Sequence, residues 1–244
     1  MTEWFEEWFN TDEYLDVYRH RNNAEAKELV KLILRFVDIP VKADVLDLAC
    51  GTGRHSIIFA KNGFKVTAVD LSEKLLNVAK NTAEDNEVKI DFIKSDIRSF
   101  FIDKQFDLVI NLFTSFGYFN DDRENFLLFD IASKYLKTSG YFVLDYFNKT
   151  YLENNLVRES NDSFEHCTLV QKRHLENNRV IKDIFIGRNG EEHHYMESVR
   201  MYSKDELVFA IEKAGFKITN IFGGFAAEKF DDMNSQRIII IAQK

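Results

Sequence analysis

The chain has 244 residues, of which 45% are hydrophobic and 23 are phenylalanines, and its formal net charge is −8. That size accommodates one α/β domain with an inserted subdomain around a sizeable core. The acidic balance, without any Lys/Arg-rich block, disfavours a phosphate-tracking face for nucleic acid, and no apolar run approaches a membrane span.

Residues 1–20, aromatic and acidic, are predicted to form one or two short helices. Ala26, Leu29, Val30, Ile33, Leu34 and Val37 recur at helical spacing, which predicts an amphipathic helix from Asn23 to Val37. Pro40, the only proline, marks the linker into a strand over Val45–Ala49. A helix over Arg54–Lys61 closed by Gly63, a strand over Lys65–Val69, and a helix capped by Ser72 and running to about Ala83 follow. Strands are predicted at Val88–Ile93, Phe106–Leu112 and Tyr141–Tyr146, with a helix from Asp121 to Leu136 between the last two. This alternation predicts a parallel sheet with helices on both faces. From about Val157 to Tyr202 polar and apolar residues alternate, with Asn177-Asn178 and Asn189-Gly190 as turn signals, so a small antiparallel sheet is predicted after strand five. Ser203 caps a helix to Ala214, and Ile218–Phe222 with Arg237–Ala242 form a closing hairpin.

Cys50 and Cys167 are the only cysteines. Cys50 lies inside a glycine turn where a disulfide would hamper ligand access, so both read as free thiols of a reducing, cytoplasmic setting. The acidic N-terminus has neither the basic nor the apolar region of a signal peptide.

Val45-Leu-Asp-Leu-Ala-Cys-Gly-Thr-Gly-Arg-His-Ser56 is the stretch that carries most chemistry. A strand ends in Asp47, a tight turn follows at Gly51 and Gly53, and the next strand ends on Asp70. This is the layout of a nucleoside-binding βαβ unit, with the distal acid placed for a ribose diol. Ser56 occupies the third glycine position of a dinucleotide fingerprint, and Asp47 sits where a pyrophosphate would meet negative charge. NAD(P) is therefore disfavoured, and the ammonium, sulfonium and ribose of S-adenosylmethionine suit the acids better.

The three motifs in order, Asp47-x-x-x-Gly51-x-Gly53, Asp70 and Asp96, resemble those of the class I S-adenosylmethionine-dependent methyltransferases. The resemblance implies an α/β, doubly wound, mainly parallel seven-stranded sheet of the Rossmann-like methyltransferase fold, with a small antiparallel β insertion after strand five. It divides the chain into a helical lid (1–40), a cofactor-binding domain (41–148 and 203–244) and an inserted cap (149–202). The lid and insertion further resemble small-molecule N-methyltransferases such as aminosugar N,N-dimethyltransferases. S-adenosyl-L-methionine is the implied cofactor, S-adenosyl-L-homocysteine its product, and a small molecule, preferably an amine, the implied acceptor and partner.

The resemblance assigns roles residue by residue. Asp47 approaches the ammonium; Ala49, Cys50, Gly51 and Gly53 give close backbone access; Asp70 accepts from the ribose, with Leu71 flanking the adenine. Asp96 meets the adenine amino group, Ile97 packs on the ring, and Leu112 ends strand four beside the cofactor. Tyr14 and Tyr18, one helical turn apart, belong to a segment that folds over the cofactor in this family, and Arg21 there suits the methionine carboxylate. Trp4, Phe5, Trp8 and Phe9 are read as lid anchors.

For catalysis the candidates are Tyr18, Tyr118, Asp145 and His194. Ser115 and Tyr118 follow strand four at the ligand-binding edge of such sheets, although a hydrophobic packing loop is an equal reading. Asp145, with Tyr146 and Asn148, ends strand five, where it either serves the acceptor or caps the crossover. Among His166, His174, His193 and His194 no Cys-x-x-Cys spacing accompanies a ligand set, so no metal site is expected. A cap histidine such as His194 remains a possible general base, while Glu197 and Arg200 are read as structural pairing residues. The chain lacks the Asn-Pro-Pro-Tyr and Pro-Cys signatures of DNA methylation and the strand-four acids of magnesium-dependent O-methylation. A protein or RNA methyltransferase and a non-catalytic S-adenosylmethionine-binding module stay open as alternatives, and the oligomeric state is not legible.

Overall fold

A parallel sheet whose strands are apolar on both sides needs a packed layer on each face. The computed structural model, which describes residues 3–19, 23–164, 167–188 and 190–244, supplies both. Helices α1 (Trp4–Trp8), α2 (Asp12–Val17) and α3 (Asn23–Phe36) precede the alternating unit of β1 (Asp44–Leu48), α4 (Arg54–Lys61), β2 (Lys65–Asp70), α5 (Glu73–Asp85) and β3 (Ile90–Lys94). Then come β4 (Phe106–Asn111), α6 (Asp122–Tyr135), β5 (Leu136–Phe147) and α7 (Lys149–Asn155). The insertion β6 (Glu159–Phe164), β7 (Cys167–Glu176), β8 (Arg179–Arg188) and β9 (Glu191–Arg200) leads into α8 (Lys204–Lys213), β10 (Lys217–Phe222) and β11 (Arg237–Gln243).

The main sheet is seven-stranded in the order β10-β11-β5-β4-β1-β2-β3. β1 to β5 run parallel, and β11 lies antiparallel to both β5 and β10. Period-two alternation splits β11 between the two cores. Ile238, Ile240 and Ala242 pack with α6 and α8, while Ile239 and Ile241 pack with α3 and α4. Strand order reverses between β1 and β4, which opens the ligand crevice at the carboxyl ends of these strands.

The second sheet is four-stranded and antiparallel, β6-β7-β8-β9. Asn177 and Asn178, with φ of 48° and 58°, make the tight turn between β7 and β8 that the Asn-Asn pair predicts. On one face Leu169, Ile184 and Ile186 form a separate apolar cluster with Trp8 and Val17 of the N-terminal helices. The N-terminal segment thus docks on the insertion.

Three boundaries differ from expectation. β5 begins at Leu136, because Ser139 takes a left-handed turn (φ 65°) inside the strand and the register against β4 shifts there. Gly140 is therefore a strand residue in a crowded bend, where a Cβ would meet Leu136 Cδ2 at 2.8 Å. β3 starts later than predicted, after a left-handed Glu87 (φ 55°). α7 was not foreseen; Asn148 caps it by accepting from the Thr150 amide at 3.1 Å. Among the described residues no helix is long and apolar enough to cross a membrane.

Candidate active site

The glycine turn after β1 is built by backbone geometry. Ala49, Gly51 and Gly53 all have positive φ (60°, 56° and 73°), a region that favours glycine and strains alanine. Two contacts hold the turn open. The Cys50 amide donates to the Val69 carbonyl at 3.0 Å, and the Gly51 amide donates to Asp70 Oδ2 at 2.7 Å. Asp70 Oδ1 also accepts from the Ser72 amide at 2.9 Å, so this carboxylate ties the loop to the start of α5. Gly53 lines neither of the two cavities at this loop. It opens α4 in the left-handed region, and a Cβ there would sit 3.0 Å from Ala79 Cβ, so its glycine serves the α4–α5 packing.

Two cavities meet over this loop. The first, about 190 Å³, is walled by the loop residues Asp47 to Thr52 that face it, by Arg54 and His55 of α4, and by Leu112–Ser115 and Tyr118 after β4. Trp4, Phe9, Tyr14, Leu15 and Tyr18 of the lid and Glu197 and Val199 of β9 roof it. The second, about 70 Å³, is lined by Asp70, Leu71, Asp96, Ile97, Leu128 and neighbouring aromatics. Phe9, Ala49, Ser115 and Tyr118 line both, so the two form one crevice with Tyr118 at the junction. Tyr118 is set by donating its hydroxyl to the Thr114 carbonyl at 2.9 Å. Its loop is gripped by Arg179 of β8, which donates to the carbonyls of Gly117, Tyr118 and Phe119 at 3.2, 3.0 and 3.0 Å.

Electrostatics distinguish the two ends. Burial pushes the Asp47 carboxyl up to about 7, the Ser56 hydroxyl pulling it back and the Asp70 charge adding to the rise. Burial likewise raises Asp70, against the amides of Ser72, Gly51 and Leu71. Neither acid has a basic partner within ion-pair distance among the described residues. A pair of buried carboxylates flanking an open backbone loop fits a ligand that brings its own positive charge and hydroxyl donors. The residues present therefore fit S-adenosylmethionine. For Asp96, burial raises the carboxyl but hydrogen bonds and charge from Arg98 outweigh it, and the net shift is downward. Both Asp96 oxygens are engaged by Arg98.

Several expected site residues lie elsewhere. Arg21, with His20 and His166, falls outside the described residues. Asp145 is fully buried and lines neither cavity. It accepts from Arg237 Nε and a terminal Arg237 nitrogen, both at 2.7 Å, and from the Phe113 amide at 2.9 Å. Its role is to hold the turn after β4, where Phe113 and Thr114 both take positive φ (60° and 63°), a strain of about 1–3 kcal/mol per residue that the surroundings must fix. His194 also misses the crevice. Alternation along β9 sends it to the outer face with Met196, where it bonds Asp183 Oδ1 at 2.9 Å and stacks on Phe185. The opposite parity sends Glu197 and Val199 inward, a signal present in the sequence. Trp4, Phe5 and Phe9, expected as anchors, line the crevice, Phe5 on the side of the smaller cavity, while Trp8 is a buried anchor.

His55 was not singled out from sequence. It is 6% exposed, its Nε2 is buried without a partner, and burial with the Arg54 and Arg237 charges lowers it to about 3, so it is a neutral imidazole in the cavity wall.

A doubly wound sheet with this strand order, a strand-end acid pair and a glycine loop at the switch point defines a class I S-adenosylmethionine-dependent methyltransferase. Residues 45–140 match the family described as methyltransferase domain. YqeM of Bacillus subtilis, which carries a methyltransferase name, is 27% identical over 217 residues, 84% of this chain and 86% of its own. A ubiquinone biosynthesis O-methyltransferase of Rickettsia felis is 30% identical over 43% of each chain. An S-adenosylmethionine-dependent methyltransferase from Clostridium acetobutylicum shares the fold at TM-score 0.83 and 22% identity, covering 95% of this chain and 98% of that one. So does CalS10 of Micromonospora echinaspora, an amino pentose methyltransferase, at TM-score 0.70 and 20% identity, covering 96% and 97%. The chain is an S-adenosylmethionine-dependent methyltransferase.

Proposed function

We propose that the protein methylates a small molecule, an amine in preference to a hydroxyl, without a metal ion, and releases S-adenosyl-L-homocysteine. The observation that carries this reading is the roof. Lid residues Trp4, Tyr14 and Tyr18 and cap residues Glu197 and Val199 cover the crevice beside the glycine loop, which limits acceptor size. CalS10, an amino pentose methyltransferase of the same fold, supports the amine. Among the described residues no group of three or more His, Cys, Asp or Glu is placed to hold a metal ion.

The bound cofactor supplies an electrophilic methyl group on a sulfonium. The chain supplies everything else. Asp47 would hold the ammonium and Asp70 the ribose hydroxyls; Leu71, Asp96 and Ile97 would surround the adenine in the smaller cavity. Tyr118, pinned at the junction, would separate the nucleoside from the acceptor. The aromatic roof excludes water and favours cationic groups beneath it. Fixed orientation of acceptor and methyl is worth roughly 7–11 kcal/mol in well-aligned systems, enough to make positioning the main catalytic term.

The test is incubation with S-adenosylmethionine and a panel of small amines, aminosugars and alcohols, with and without EDTA, read by mass spectrometry. Methylated amines formed equally in EDTA are expected. Loss of activity in EDTA restored by magnesium, or methylation of folded RNA or protein alone, defeats the reading.

A further inference from the structure

Where lid meets cap, side chains from three elements converge on one carboxylate of β9 in the cavity roof. Tyr18, closing α2, donates its phenolic hydrogen to Glu197 Oε1 at 2.5 Å. The same phenolic oxygen accepts from Lys182 Nζ of β8 at 2.5 Å. Lys182 also reaches Glu197 Oε2 at 3.3 Å, and Trp8 Nε1 of α1 donates to Oε1 at 2.8 Å. The side chains of Lys182 and Glu197 are only 13% and 15% exposed.

Stability alone does not account for this cluster. A largely buried ion pair is commonly no better than well-packed apolar residues, the lid–cap contact already has an apolar centre in Trp8 and Val17 on Leu169, Ile184 and Ile186, and its other ion pairs, Arg188–Asp16 and Arg19–Asp162, lie at more exposed positions. Its location gives a different reason. Tyr18 and Glu197 both line the cavity, and any acceptor, amine or alcohol, must lose a proton there. A hydroxyl placed between an ammonium and a carboxylate transmits a proton without itself becoming charged.

We propose that Tyr18 and Glu197 form a proton relay serving the acceptor, with Lys182 as the positioning residue that holds the phenol and balances charge. The proposal rests on the small-molecule reading above. In the step, the acceptor's N–H or O–H bond breaks and its electron pair stays on that atom. The proton passes to Tyr18 Oη while the proton already there passes to Glu197 Oε1. Tyr18 ends neutral, Glu197 ends as the carboxylic acid, and Lys182 keeps its charge.

Other titratable groups face this pair from every side. Tyr14 packs on Tyr18 with ring centroids 4.9 Å apart, and Tyr195 lies beside Glu197 on β9 near Glu7 and Glu13. Across the cavity stand Asp47, Arg54 and His55. His55 is too weak a base to compete for the proton at neutral pH.

Two measurements test the relay. In steady-state assays with an acceptor from the amine and alcohol panel, Glu197→Gln should lower kcat by about 10²-fold or more, leave the affinity for S-adenosylmethionine within about twofold, and remove the acid limb of the kcat–pH profile. Lys182→Met should move that limb to higher pH, because loss of a cation disfavours the anionic form. In ¹³C-tyrosine spectra of the S-adenosylhomocysteine complex, with Tyr18 assigned through Tyr18→Phe, Lys182→Met should raise and Glu197→Gln lower the Tyr18 ionisation midpoint. A wild-type kcat–pH profile in Glu197→Gln overturns the relay, as does a Tyr18 midpoint that neither substitution moves. If the wild-type protein uses no member of the panel, the small-molecule reading fails and the relay falls with it, even where the Tyr18 shifts are seen. An active wild type with unmoved Glu197→Gln kinetics condemns the relay alone.

Discussion

At the residue scale, Asp47, the proposed partner of the cofactor's ammonium, should make cofactor binding sensitive to pH. Its folded-state value of about 7 lies above the roughly 3.9 of an unfolded aspartate, so between these limits the folded chain holds a proton that the unfolded chain has released. Stability of the cofactor-free protein from this group is therefore fully present below the unfolded value and declines as pH rises through the window. A bound ammonium reverses the preference and favours the carboxylate. Affinity for S-adenosylmethionine should rise with pH up to about 7 and then flatten, with proton release on binding below that point. Titration calorimetry in buffers of different ionisation enthalpy checks this, and Asp47→Asn should abolish both the slope and the release. Asp145 is the opposite case, an acid whose partner is already present. Asp145→Ala leaves Arg237 buried without its carboxylate and frees the strained Phe113–Thr114 turn. A loss of about 3–5 kcal/mol in denaturant unfolding is expected.

At the scale of elements, the lid, the clamp and the two sheets make separable contributions. The apolar contacts of α1 and α2 with the cap form their own cluster, whereas α3 belongs to one of the two cores that sandwich the main sheet. Removal of residues 1–22 should therefore leave the main sheet's circular dichroism intact, weaken cofactor retention at least tenfold in equilibrium dialysis, and abolish turnover. Arg179→Ala releases three loop carbonyls at the junction of the cavities and should raise KM for the acceptor more than it affects the fold. The strands and helices of the main sheet were legible because their periods of 2.0 and 3.6 are local properties of the chain. The kinked start of β5 was not, since Ser139 takes its left-handed turn to satisfy pairing with β4 and the crowding at Gly140. The ends of β1 and β2 revealed Asp47 and Asp70 because glycine loop and acids are contiguous with their strands. Glu197 was hidden by a different circumstance. Its importance comes from Trp8 and Tyr18, 189 and 179 residues away in sequence, and only the packing of lid on cap brings them together.

At the scale of the whole molecule, a cofactor bound as proposed, between the glycine loop and the roof, should stabilise the fold by mass action, about 2.7 kcal/mol at a concentration one hundred times Kd. A thermal scan in graded S-adenosylmethionine should show the midpoint climbing with concentration, while NAD leaves it unchanged. The roof itself carries a spectroscopic consequence. The chain has two tryptophans, Trp4 and Trp8, and both lie in α1. Trp8 is shielded within the lid–cap cluster, and Trp4 faces the crevice. Indole emission is thus silent about the main sheet and speaks only for the state of the roof. In a refolding experiment its change should lag the backbone signal, because the partner strand β9 lies nearly the whole chain away and closing so long a loop is slow. Fluorescence and far-ultraviolet dichroism followed together would time the sealing of the crevice separately from the formation of the sheet beneath it.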